Sequence, residues 1–168
     1  MAASVSLSYT GALTVIETLD QALVPDAADA NRKITHNAYN TNGLSLSGST
    51  TPPASACASF QKALSSGTGT IDLTALPGTN GAVVDGTGLK VRAFKFINPA
   101  TNANPITIKF GAANPYNLLG ASWQIILAPG QEAQSYLKDG APVIGSGAKN
   151  IDLSGTGAQA LQCQVVLG

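Results

Sequence analysis

From Leu89 to Gly168 the chain runs in short apolar/polar alternations, each closed by Gly, Pro or Asn. A side-chain period of two belongs to a half-buried β-strand, and frequent turn residues leave no room for a long helix. Ile106, Ile108 and Phe110 alternate with Thr107 and Lys109, and Leu161, Cys163, Val165 and Leu167 alternate with Gln162, Gln164 and Val166. Trp123 to Leu127 makes a strand that Ala128-Pro129-Gly130 closes, and Glu132 to Leu137 returns towards Asp139-Gly140. Leu89 to Ile97 is apolar on both faces: Val91, Ala93 and Ile97 with Lys95 on one, Phe94 and Phe96 with Lys90 and Arg92 on the other. Such a strand is expected to be covered on both sides, by its own core and by another layer or another chain.

Gly69 to Thr74 and Lys149 to Ser154 share Ile-Asp-Leu-Thr/Ser, and the pattern predicts two similar edge strands with Asp outward between buried aliphatics. Ala54 to Leu64 turns Ala56, Ala58, Phe60 and Leu64 to one face, and Leu44 and Leu46 start a short strand that Gly48 to Pro53 ends. Thr14 to Leu23 fits either a helix capped by Thr14 and Glu17 or a strand rich in β-branched residues, with the strand preferred. Pro25 to Asn31 has the polarity of a loop, and Lys33 to Tyr39 is a further strand candidate. The fold class expected is all-β: an antiparallel β-sandwich, jelly-roll-like, of about ten short strands. Residues 1–168 are expected to form a single domain, with 1–64 as a candidate arm, or extended strands, contacting neighbours.

With 168 residues and 44% apolar content, the chain is large enough to bury one core. Only 11% of residues are charged, against roughly 25% in an ordinary soluble domain. Nine bases cancel nine acids, so no whole-chain field draws in nucleic acid or an anionic membrane, and the repulsion that keeps copies apart is missing. Self-association is therefore expected. The opening MAASVSLSYT lacks the basic and apolar regions of a secretory leader, and the densest apolar run, Ile125-Ile126-Leu127-Ala128, is far shorter than a membrane span. Synthesis in the cytoplasm is the expectation. Cys57 and Cys163 are expected to be reduced thiols, Cys163 in the core.

Chemistry has few footholds. The single histidine, His36, stands in Thr-His-Asn without a nearby acid, and no His pair, nucleophile elbow or phosphate loop occurs. Asp85-Gly86-Thr87-Gly88 leads into a strand, where a phosphate-cradling loop leads into a helix, so a turn is expected. Asp20, Asp26, Asp29, Asp72, Asp85, Asp139 and Asp152 each fit a strand-face, turn or loop position, although nine acids still permit a carboxylate pair in space. No catalytic, cofactor-binding or metal residue is singled out, and no enzyme is expected. Tyr116, Trp123 and Tyr136 are candidates for stacking on a glycan; core packing for Trp123 and covering one end of the sandwich for Tyr116 are the alternatives.

The strings LKVRAFKFINPATNANPITIKFGAANPYNLLG, ILAPGQEAQSYLKDG and NIDLSGTGAQALQCQVVLG resemble a family of small virion proteins of tailed bacteriophages, as do SYTGALTVIETLDQAL, KITHNAYNTNGLSLSGSTTPP and IDLTALPGTNGAVVDGTG. The resemblance covers nearly the whole chain by overall pattern, without a catalytic motif to anchor it. It implies a β-sandwich or jelly-roll subunit on the capsid exterior, a decoration or cement protein that is often a homotrimer and binds over junctions of the major capsid protein. It implies no cofactor, no active-site residues, no direct nucleic-acid contact and no membrane. A head-fibre or tail subunit is the alternative within the virion, and a glycan-binding adhesin module the alternative outside it.

Overall fold

The structure, a computed structural model, describes residues 4–11, 15–20, 31–36, 41–78, 81–139 and 141–168. Every helix-or-strand element among them is a strand. In chain order these are β1 (Ser6–Gly11), β2 (Val15–Asp20), β3 (Asn31–His36), β4 (Thr41–Ser47), β5 (Ala56–Ala63), β6 (Thr68–Asp72) and β7 (Leu76–Pro77). There follow β8 (Val83–Val84), β9 (Val91–Ile97), β10 (Ile106–Phe110), β11 (Gln124–Leu127), β12 (Glu132–Tyr136), β13 (Asn150–Ser154) and β14 (Ala160–Leu167). The chain divides into two compact units, Met1–Leu7 with Leu46–Gly168, and Ser8–Ser45.

The smaller unit holds β2 and β3, antiparallel in register from Val15↔His36 to Asp20↔Asn31, as a two-stranded sheet. Thr14 to Leu23 is thus strand over Val15–Asp20, as its β-branched residues favour. β1 and β4 form a second two-stranded sheet. Along β1, Leu7 and Tyr9 are half-buried while Ser6, Ser8 and Thr10 are exposed. The predicted loop Pro25 to Asn31 lies outside the described residues up to Ala30, as does the end of the strand predicted over Lys33 to Tyr39.

The larger unit is built on two four-stranded antiparallel sheets, ordered β12-β9-β14-β5 and β11-β10-β13-β6. Among these eight strands the first pairs with the last (β5 with β14), the second with the seventh (β6 with β13), the third with the sixth (β9 with β12) and the fourth with the fifth (β10 with β11). Two further pairings, β9 with β14 and β10 with β13, join the nested pairs into sheets. The apolar faces supply one buried cluster: Phe94, Phe96, Leu161, Cys163, Val165 and Leu167 from one sheet, and Ile71, Ile106, Ile108, Leu127, Ile151 and Leu153 from the other. The alternations of β10 and β14 read in the sequence are these buried faces. A separate β7–β8 hairpin, which the sequence reading did not anticipate, pairs Leu76 with Val84.

Two expectations are corrected. Val91 does not share a face with Ala93: opposite β14 the register steps from Val166↔Ala93 to Leu167↔Val91, a bulge that admits Arg92 as an extra residue and turns Val91 to the core beside Leu167. The two Ile-Asp-Leu segments are not both edge strands. β13 lies between β10 and β6, and the two segments pair with each other, Ile151 against Ile71. Within the stretch 1–64, Ala56–Ala63 pairs along its whole length with β14.

Candidate interaction surfaces

Two of the three aromatics considered for glycan stacking are core residues. Tyr116 is fully buried; its hydroxyl donates to the Pro142 carbonyl (2.8 Å) and accepts from the Val91 N–H (3.1 Å). Burial pushes its pKa up to about 12, against the smaller opposing effects of the Val91 hydrogen bond and the Arg92 charge. Trp123 is 6% exposed, and its indole N–H donates to the Tyr116 carbonyl (2.9 Å). Neither ring has a face to offer a sugar. Tyr136 is half-buried on β12.

The described carboxylates are engaged by neighbours. Asp72 accepts from Lys149 Nζ (2.7 Å) and from the N–H and hydroxyl of Thr74 (2.9 and 2.6 Å). Partial burial raises its pKa, and the hydrogen bonds from Lys149 and Thr74 together outweigh that, leaving the carboxyl below its ordinary value. Asp85 accepts from the N–H and hydroxyl of Thr87 (2.8 and 2.6 Å), which hold its carboxyl low and make the Asp85-Gly86-Thr87-Gly88 segment a side-chain-closed turn. Asp152 accepts from Thr70 Oγ1 (2.8 Å) and the Ala112 N–H (2.7 Å), Glu132 pairs with Lys95 (2.9 Å), and Asp139 lies 3.6 Å from Arg92. Among the described residues no three His, Cys, Asp or Glu side chains gather as a metal site. Cys57 is exposed and Cys163 buried, both free, and burial raises the Cys163 thiol to about 12. The His36 side chain lies outside what is described.

One polar cluster escaped the sequence reading. Asn98, fully buried at the end of β9, donates to the Leu127 and Asn104 carbonyls (2.8 and 3.2 Å) and accepts from Asn102 Nδ2 (2.6 Å). Asn102 also donates to the Ala160 carbonyl, and Gln159 Nε2 to the Asn104 carbonyl (2.7 Å). These amides tie together loops that join strands of different sheets. The signal in the sequence was the Asn-Pro pair directly after an apolar strand.

The surfaces left for partners are the outward faces of the sheets. Register across β12, β9, β14 and β5 lays out three rows: Tyr136, Ala93, Val166, Cys57; Gln134, Lys95, Gln164, Ser59; and Glu132, Ile97, Gln162, Gln61. Lys95 and Glu132, the charged members, neutralise each other. A shallow groove of about 240 Å³ crosses this face, lined by Ser59, Gln61, Lys95, Ile97, Gln162 and Gln164. The other sheet presents Ile126, Thr107, Ser154, Thr68 and Gln124, Lys109, Asp152, Thr70, with a similar groove over Thr68, Thr70, Lys109, Asp152 and Ser154. Both faces are rich in amides and hydroxyls and poor in net charge.

Comparison with protein-family models, with curated proteins and with solved structures finds no match for this chain.

Proposed function

We propose that this chain is a structural protein of a tailed-bacteriophage virion: a capsid decoration or cement subunit that lies on the capsid exterior over junctions of the major capsid protein, acting as a homo-oligomer, trimeric as the sequence resemblance implies. The observation that carries this reading is the two-part build, an eight-stranded body with a separate unit of paired strands at Ser8–Ser45. A body whose first and last strands pair is tied at both ends and suits a stiff wedge; a small second unit suits reach to a neighbour. The fold that goes with this reading is a jelly-roll sandwich. Numbered along the chain, the eight strands order as 1-8-3-6 and 2-7-4-5, the order made when one long hairpin of nested pairs is rolled into two facing sheets.

Sheet faces of amides and hydroxyls support the same reading. Contacts made through them do not weaken with salt as charge pairs do, and many such contacts repeated around a symmetric oligomer add up. In this role the chain needs no cofactor and performs no catalysis. A reconstruction of the virion is the test: density for this chain on the capsid exterior, at junctions of the major capsid protein, is expected. Density in the tail, or none on the particle, would overturn the decoration role.

A further inference from the structure

Among the described residues, the edge of the sheet ending in β11 is unprotected. The Phe110 N–H donates to the Trp123 carbonyl (3.4 Å), which makes Phe110–Trp123, Ile108–Ile125 and Ile106–Leu127 the hydrogen-bonded pairs of the β10–β11 ladder. The backbone N–H and C=O of Gln124 and Ile126 therefore point away from β10, on a strand with no paired strand on that side among the described residues. Natural edges are guarded by charge, proline or a covering element. β11, Gln-Ile-Ile-Leu, has neither charge nor proline, and the Ile126 side chain is 58% exposed. The other edges are guarded: the β7–β8 hairpin lies against β5, which also carries Lys62, while β6 ends in Asp72 and β12 begins with Glu132.

The smaller unit has the complementary deficiency. Two-stranded sheets are marginal in water without a third strand or a packing partner, and β2–β3 is such a sheet, so among the described residues β2 has an open edge. Its charge also matches. Ser8–Ser45 carries four acids (Glu17, Asp20, Asp26, Asp29) against two bases (Arg32, Lys33), whereas the rest of the chain carries five acids against seven bases. Two of those four acids are in β2. Lys109, one strand in from the β11 edge and in register with Gln124, has no carboxylate ion-pair partner among the described residues.

We propose that the open edge of β11, at Gln124 and Ile126, accepts β2 from the N-terminal unit of a second copy of this chain, extending the sheet by strand addition. Donor and acceptor are different strands, so each copy carries one of each, and the same contact serves a reciprocal two-fold exchange or a head-to-tail ring. The inference rests on the homo-oligomer in the proposed function and names its interface.

The test is sedimentation of the full-length chain with Ile126→Pro. Proline is tolerated on an edge strand where its nitrogen faces outward, so the protomer keeps its unfolding midpoint while the incoming strand loses a donor. The expected result is an oligomer for the parent chain and a monomer for Ile126→Pro. A second measurement does not depend on how proline is tolerated. In a Cys57→Ser background, copies with Thr18→Cys are refolded together with copies with Ile126→Cys and treated with a short bis-maleimide; a cross-linked dimer containing one of each is expected. An Ile126→Pro chain that stays oligomeric, or a mixture of oligomers without the cross-link, overturns the β11 interface and leaves the oligomer standing. A monomeric parent chain overturns both.

Discussion

Tyr116 binds three segments: its buried side-chain hydroxyl meets Val91 and Pro142, and its backbone carbonyl accepts from the Trp123 indole N–H. Tyr116→Phe keeps the ring and strands a buried N–H and C=O, so a loss of about 1–3 kcal/mol is expected in urea unfolding, with the slope unchanged. The cysteines divide by access. One equivalent of thiol per folded chain, Cys57, should react promptly with a disulfide reagent at mildly alkaline pH, and two after unfolding; rapid reaction of both in the folded chain would contradict the buried, neutral Cys163. Asp72 sets an acid limit. Its folded pKa lies below its ordinary value of 3.8, so its contribution to stability is present above that pH and is lost as pH falls through the folded pKa. Unfolding measured from about pH 5 downward should show a shallower acid loss in Asp72→Asn than in the parent chain.

At the scale of elements, turns and bulges decide where the strands face. A methyl group placed on Gly86 would lie 2.5 Å from the Leu73 carbonyl oxygen and about 3 Å from Ile144 and Leu167, so the turn before β9 has no room for a side chain. Gly86→Ala should lower stability by about 1–3 kcal/mol, read as a shift in thermal midpoint. The same local logic separates what was legible in the sequence from what was not. The faces of β10 and β14 were legible because one face of each is buried and alternation records burial directly. Val91 was misassigned because a one-residue bulge reverses the alternation and leaves no mark in the residue types. The central place of β13 is not legible, because Ile-Asp-Leu-Ser describes the strand's own two faces and carries nothing about its neighbours. The structural alternative for Tyr116 was legible, but its hydrogen bonds and the anchoring by Asn98 were not, because partners at Val91, Pro142 and Leu127 lie far along the chain.

The whole molecule turns on partners brought together from opposite ends of the sequence. β5 and β14 lie about a hundred residues apart and pair over eight residues, and every other pairing of the eight-stranded body except β10–β11 is also between strands distant in order. Such nesting ties down both ends of the body and leaves its outward faces and the β11 edge for other molecules. If that architecture serves a capsid, its effect belongs to the particle more than to the chain. The most direct measurement is heat-induced release of packaged DNA from virions with this protein and from otherwise identical virions lacking it, followed by dye fluorescence. Release at a lower temperature from the particles lacking it, restored when purified protein is added back, is the predicted result. The same release temperature for both, with the protein demonstrably bound to the parent particles, would contradict the cement role.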